Sequence, residues 1–207
     1  MTKNAVVQEN SLDLLERVGQ SGTDKAAESL SALSGKSIGG FFVHVTVLPI
    51  ENVPVLMGDP EQTVVAAVLE ATGDFSGCFM VVFPLQDAFR LIGILTGTEG
   101  KTIEDLGEME LSAISEVGNI LASAYLTALD EISGILSQHS PPTVVVDMAA
   151  GILTSALLPL HEAGSDIISI EARFGDSSRE SWGRMILVPN VEALPRLLKA
   201  VGKPKHG

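Results

Sequence analysis

The sequence repeats itself, because a shift of 99 residues places the first half of the chain on the second. The matched positions are glycines and apolar residues in one register: Gly19 with Gly118, Gly35 with Gly134, Val45 with Val144. A shift of 105 restores the match later, where Pro84 meets Pro189, and the extra residues are predicted in the polar segment 174–180. Such self-similarity indicates one structural unit present twice.

Each half has the same order of predicted elements. Apolar residues at helical spacing predict a long amphipathic helix, ended by Gly35 in the first half and by Gly134 in the second. Runs of β-branched residues predict three strands per half, at 41–50, 63–71, 77–84, 143–148, 166–174 and 183–189. A short helix follows at 85–95 and at 191–201. The predicted fold class is α+β, an internally duplicated helix–three strands–helix unit with pseudo-two-fold symmetry and helices packed on a β-sheet.

The two repeats are predicted to form a single domain over residues 1–207. Three strands are marginal for an independent core, so the copies are expected to share one sheet. The repeats span about 10–97 and 109–202, with a linker at about 98–108 and a short basic tail at 203–207. Hydrophobic residues make up 45% of the chain and charged residues 19%, which is typical of a globular protein rather than of a disordered one.

The charge balance excludes two classes of partner. The formal net charge is −13, whereas nucleic-acid binding and docking on an anionic membrane both need clustered Lys and Arg. The most apolar stretch, 143–160, is interrupted by Asp147, Gly151 and Pro159, so it predicts a buried strand and a connection rather than a membrane span. No secretory signal opens the chain, and a cytoplasmic location is expected.

The sequence indicates neither a catalytic cysteine nor a metal site formed by histidines. Cys78 lies in an apolar strand-like run, where a small hydrophobic role is more common than that of a catalytic thiol. The four histidines, His44, His139, His161 and His206, show no ligand spacing among themselves. We therefore expect neither a metal site nor a cofactor of the protein's own.

Acidic residues cluster before the second long helix, at Glu104, Asp105, Glu108 and Glu110. Carboxylates near a helix start are favoured by the helix dipole, and Thr102 with Asp105 resembles a capping box. A role for the cluster in contacting a partner is the alternative.

Glu116 and Asn119 are polar residues in an otherwise apolar helix, and Gly118 lies between them. Residues three apart share a helix face, so a carboxylate and an amide stand side by side. Gly118 costs about 1 kcal/mol relative to Ala in mid-helix, which suggests that it permits a close approach. From spacing alone, a solvated polar face with a packing glycine is the simpler interpretation. The alternative is a pair that inserts into the active site of another protein.

The pattern [DS]-x-x-x-E-x-x-N, present as Ser112, Glu116 and Asn119, resembles the CheC/CheX/FliY family of chemotaxis phosphatases. The run PPTVVVDM at 141–148 is also similar to CheC, and the resemblance covers nearly the whole chain. It implies a protein phosphatase that hydrolyses the aspartyl phosphate of a CheY-type response regulator. Asn119 would then orient the attacking water, and Glu116 would contact a lysine of the regulator. The Mg²⁺ ion would be held by the regulator.

The first repeat carries Arg17 and Gln20 at the positions of Glu116 and Asn119. Arg17 reverses the charge opposite the regulator's lysine, so this degenerate first site is predicted to be inactive or weak. Asp24 and Lys25 add to the departure. The alternative function is that of a non-catalytic adaptor or flagellar-switch component, either FliM-like or binding the CheD deamidase.

Overall fold

The computed structural model describes residues 9–52, 59–97, 102–152, 155, 166–175 and 180–189. Its strands are β1 (Gly39–Pro49), β2 (Thr63–Gly73), β3 (Gly77–Pro84), β4 (Ser137–His139), β5 (Thr143–Met148), β6 (Asp166–Gly175) and β7 (Glu180–Pro189). Its α-helices are α1 (Glu9–Ser34), α2 (Leu85–Thr96), α3 (Glu108–Ser133) and α4 (Ala149–Ile152), with 3-10 turns at Ile50–Asn52 and Ile103–Asp105. The six predicted strands are confirmed, β4 was not predicted, and the predicted helix 191–201 lies outside the described residues.

The strands form one antiparallel sheet in the order β1-β6-β7-β3-β2, and both β4 and β5 pair with β2 at the far edge. This order stays the same when β1, β2 and β3 are exchanged with β5, β6 and β7. Each repeat therefore lends its first strand to the other repeat, and the two meet at the β3–β7 pair. The predicted α+β class is confirmed. A duplication would produce this strand order, although the duplication itself stays an interpretation.

The strand register corrects the expected position of the extra residues. Val45 on β1 lies opposite Ile170, while its counterpart Val144 on β5 lies opposite Ala67. Ala67 and Ile170 are therefore equivalent and 103 residues apart, against 99 for Val45 and Val144. Four extra residues thus enter between Val144 and Ile170, and not in the segment 174–180. A shift that is read from identities cannot locate an insertion within a stretch where few identities occur.

Helices α1, α2 and α3 cover one face of the sheet. The core beneath them includes Leu15, Leu30, Leu91, Ile114, Val117, Leu121, Phe79, Phe83, Ile170 and Met185, all buried. A second, smaller cluster lies on the opposite face, where Ile50 and Ile152 pack on residues such as Met80, Val82 and Ile186. The central strands β2 and β3 are accordingly apolar on both faces. This explains why their sequences are continuous runs of apolar residues and do not alternate between apolar and polar ones.

The long helices α1 and α3 are equal in length at 26 residues, and their ends coincide at a shift of 99. Each is followed by a glycine in the left-handed region, Gly35 at φ 66° and Gly134 at φ 75°. Residues with a side chain rarely adopt this conformation, so glycine ends both helices with little backbone strain. The predicted stops are confirmed at both positions.

Candidate active site

Helix α3 starts in a capping arrangement of its own. The backbone N–H of Gly107 donates to Oε2 of Glu110 at 3.2 Å. Thr102 and Asp105, predicted as the cap, instead close the separate 3-10 turn at 103–105, where Thr102 N–H donates to Oδ2 of Asp105 at 2.9 Å. Two of the four acidic residues, Asp105 and Glu110, therefore have a local structural role, while Glu104 and Glu108 are exposed to solvent.

Gly118 lets α3 lie directly on the sheet. A Cβ atom added to Gly118 would stand 2.5 Å from Cβ of Ala67 on β2, and 3.6 Å from Cβ of Pro142. Both neighbours are fixed to backbone, so no side chain could rotate away. The expected packing role of Gly118 is thereby explained, and Pro142, in the β4–β5 connection, forms the flank of the helix at the level of the motif.

Glu116 and Asn119 lie on the opposite side of α3 from the core contacts of Val117 and Leu121. Glu116 is exposed and Asn119 is half-buried. Within the part of the chain that the structure describes, neither the carboxylate of Glu116 nor the amide of Asn119 has a hydrogen-bond or ion-pair partner. The two groups project from a rigid helix and are available to a ligand or a partner.

Arg17 and Gln20 occupy the matching exposed face of α1. Gln20 differs from Asn119 in one contact, because its Nε2 donates to Oδ1 of Asp24 at 2.9 Å. The structure therefore places both predicted pairs on solvent-exposed helix faces, one pair per repeat. Only the pair of the second repeat has a free amide among the described residues.

A buried polar contact joins α1 to α3. The hydroxyl of Thr23 donates to the carbonyl of Gly19 at 2.7 Å, so the hydroxyl of Tyr125 donates to Thr23 Oγ1 at 2.6 Å. Burial raises the pKa of the Tyr125 hydroxyl. The Tyr125 ring lies over Gly22, whose absent side chain leaves it room. This contact fixes the relative position of the two long helices.

His139 is a residue of the site that the sequence did not reveal. Its Nδ1 lies 3.0 Å from the carbonyl of Ser140, which can only accept, so Nδ1 carries the hydrogen. In the neutral ring Nε2 is then an acceptor and takes the hydroxyl hydrogen of Ser123 at 2.9 Å. Ser123 follows Asn119 by one helical turn. The sequence holds no signal for this pair, because it depends on where β4 places His139 against α3.

Cys78 is buried in β3, where burial, and next the charge of Glu70, raises the pKa of its thiol to about 12. Such a thiol is unreactive at neutral pH, in agreement with the predicted role as a small hydrophobic residue. In the described ranges, no three His, Cys, Asp or Glu side chains are grouped to hold a metal ion. None of the helices described is long and apolar enough to cross a membrane.

Comparison with known proteins shows what this helix and the whole chain are similar to. A family model described as the CheC-like family matches residues 109–146, which include Glu116, Asn119, His139 and Pro142. The CheY-P phosphatase CheC of Bacillus subtilis is 29% identical over 200 residues, which cover 95% of this chain and 96% of that protein. The resemblance to the CheC-like family is confirmed.

Solved structures agree on the fold. FliY of Thermotoga maritima matches with a TM-score of 0.77 at 20% identity, covering 95% of this chain and 98% of that one. The FliM middle domain from H. pylori gives 0.68 at 10%, covering 93% and 99%. CheX in the CheX-CheY-BeF3-Mg complex from Borrelia burgdorferi gives 0.51 at 15%, covering 83% and 96%. At these identities the likeness shows the fold alone.

Proposed function

We propose that this protein hydrolyses the aspartyl phosphate of a CheY-type response regulator through one site, Glu116 and Asn119 of α3. The observation that carries the proposal is the carboxylate–amide pair of exposed Glu116 and half-buried Asn119. The pair has no partner among the described residues and stands on a helix held against the sheet at Gly118. A similar protein named as a CheY-P phosphatase, and a CheX with this fold in complex with CheY, support the choice of substrate.

The chemistry requires positioning rather than a nucleophile of the protein's own. Phosphoryl transfer depends mainly on orienting the attacking water and on compensating charge. The side-chain oxygen of Asn119 can accept a hydrogen bond from water, and so direct a lone pair at phosphorus in line with the departing aspartate oxygen. Glu116, one turn before Asn119, would pair with a lysine of the regulator and so position helix α3 against the regulator. The products are inorganic phosphate and the regulator's free aspartate.

The regulator is expected to supply the Mg²⁺ ion, as the family resemblance implies. The ion would compensate negative charge on the phosphoryl group from the regulator's side. The proposal assigns no metal ligand to this chain.

The test is the rate of phosphate release from a phosphorylated CheY-type regulator. Asn119→Ala is expected to lower kcat about 100-fold, which is typical of removing one preorganised hydrogen-bonding group. Glu116→Ala removes a charge-assisted contact made before the reaction, so KM is expected to rise about tenfold. Gln20→Ala, the matched change in the first repeat, is the control and should leave both constants within twofold. The proposal is refuted if the wild-type protein does not accelerate phosphate release beyond the regulator's own rate of dephosphorylation.

A binding protein without catalysis is the second candidate. It is favoured by the fold shared with the FliM middle domain over 93% of this chain. It predicts that wild type binds its partner tightly and that Asn119→Ala changes neither binding nor phosphate release. Binding to CheD, which the family resemblance implies, stays a prediction that calorimetry with purified CheD can check.

A further inference from the structure

The outward faces of α1 and α3 match position by position, but their charges differ. At a shift of 99 the exposed positions pair as Asp13 with Ser112, Arg17 with Glu116, Gln20 with Asn119, Asp24 with Ser123 and Glu28 with Thr127. Downstream of the amide residue, the first repeat carries two carboxylates and the second carries two hydroxyls. The two faces therefore differ in more than the motif residues themselves.

In the first repeat Asp24 holds the amide of Gln20. Nε2 of Gln20 donates to Oδ1 of Asp24 at 2.9 Å, one helical turn away. This bond directs the Gln20 amide along the helix surface instead of outward. It also keeps the negative charge of Asp24 at hydrogen-bond distance from the amide.

In the second repeat the equivalent side chain, Ser123, bonds to a residue outside the motif. The Ser123 hydroxyl is bonded to Nε2 of His139 at 2.9 Å, and His139 is held in turn by the Ser140 carbonyl at 3.0 Å. Ser123 carries no charge. Among the residues that the structure describes, the Asn119 amide is left without a partner.

We propose that the residue four positions after the amide decides whether a repeat can act on an aspartyl phosphate, and that Asp24 closes the first site. The inference rests on the proposed function and adds a third determinant to the two motif positions. A phosphoryl group carries between one and two negative charges at neutral pH. A carboxylate one turn from the amide repels that group and at the same time binds the donor end of the amide. A neutral residue at this position, bonded to another residue as Ser123 is to His139, avoids both effects.

The test introduces the carboxylate of Asp24 at the equivalent position of the second repeat, Ser123. Ser123→Asp is expected to have a kcat/KM at least tenfold below that of Ser123→Ala, which lacks the hydroxyl but adds no charge. Thr127→Asp places the same charge one turn farther along the exposed face and should stay within threefold of wild type. If Ser123→Asp keeps a kcat/KM within threefold of Ser123→Ala, the inference is overturned. Wild-type protein without phosphatase activity would instead refute the proposed function.

A gain-of-function comparison covers the case in which Ser123→Asp does not fold. In an Asn119→Ala background, Arg17→Glu with Gln20→Asn restores the motif in the first repeat but keeps Asp24. Adding Asp24→Ser is expected to raise phosphate release at least tenfold above that double change. Equal rates with and without Asp24→Ser would show that Asp24 is not a determinant.

Discussion

Gly118→Ala is the substitution for which the structure makes the sharpest prediction, because two opposing effects can be weighed. Alanine is favoured over glycine in a helix by about 1 kcal/mol. The new Cβ would lie 2.5 Å from Cβ of Ala67, whereas ordinary contact begins at 3.4 Å, so α3 or β2 must move by about 0.9 Å. Overpacking of this kind costs about 1–3 kcal/mol in a close-packed core. We expect a net loss of about 1 kcal/mol in the free energy of unfolding.

The displacement should affect activity more than stability. A loss of 1 kcal/mol lowers Tm by only about 2–4 °C in a protein of this size. A shift of α3 by nearly 1 Å, however, moves Glu116 and Asn119 together, and misplacement by about 1 Å costs roughly 100-fold in rate. Urea unfolding measures the first quantity, and phosphate release from a phosphorylated regulator measures the second.

Two further variants isolate the contact. Ala67→Gly on the Gly118→Ala background removes the opposing methyl group and should recover part of the activity. Gly19→Ala, at the equivalent position of α1, meets the half-buried Phe42 ring, which can rotate, so a smaller effect on stability is expected there. An unfolding free energy that rises by about 1 kcal/mol in Gly118→Ala, with full activity, would show that the helix is not held by this approach.

Three other measurements follow from the structure. Tyr125→Phe removes the buried hydrogen bond to Thr23. The free energy of unfolding in urea titrations should fall by about 1 kcal/mol. An unchanged free energy of unfolding would mean that the bond is not formed in solution. The pKa of the Cys78 thiol is raised to about 12 in the folded protein, so the folded state holds this proton more tightly than the unfolded state does. The free energy of unfolding should therefore fall as pH rises from about 9 to 12, and it should fall less steeply in Cys78→Ala. Alkylation of Cys78 at pH 8 should occur only at the rate of unfolding, and rapid labelling of native protein would refute the burial of Cys78. If the net charge of −13 guides a lysine-bearing regulator, the association rate should fall as salt rises, and a salt-independent rate would leave that charge with solubility alone.

Local patterns predicted the elements well, since their causes are local. Helical spacing of apolar residues located α1 and α3, and Gly35 and Gly134 marked their ends because glycine adopts the left-handed conformation at lower cost than other residues. The E-x-x-N spacing predicted Glu116 and Asn119 on one helix face for the same geometric reason, and in the structure Glu116 is exposed and Asn119 half-buried. Their catalytic roles stay a proposal.

The sequence by itself predicted the helices α1, α2 and α3, six of the seven described strands and the position of the candidate pair on α3, because each of these depends on residues within a few turns of one another. Only the tertiary structure decided which strands pair, that Gly118 packs on Ala67, and that Ser123 bonds to His139. These contacts join residues far apart in the chain, and they depend on strand register and on the depth at which a helix packs. A one-dimensional pattern carries neither quantity, so the surroundings of the candidate site emerged only from the folded chain.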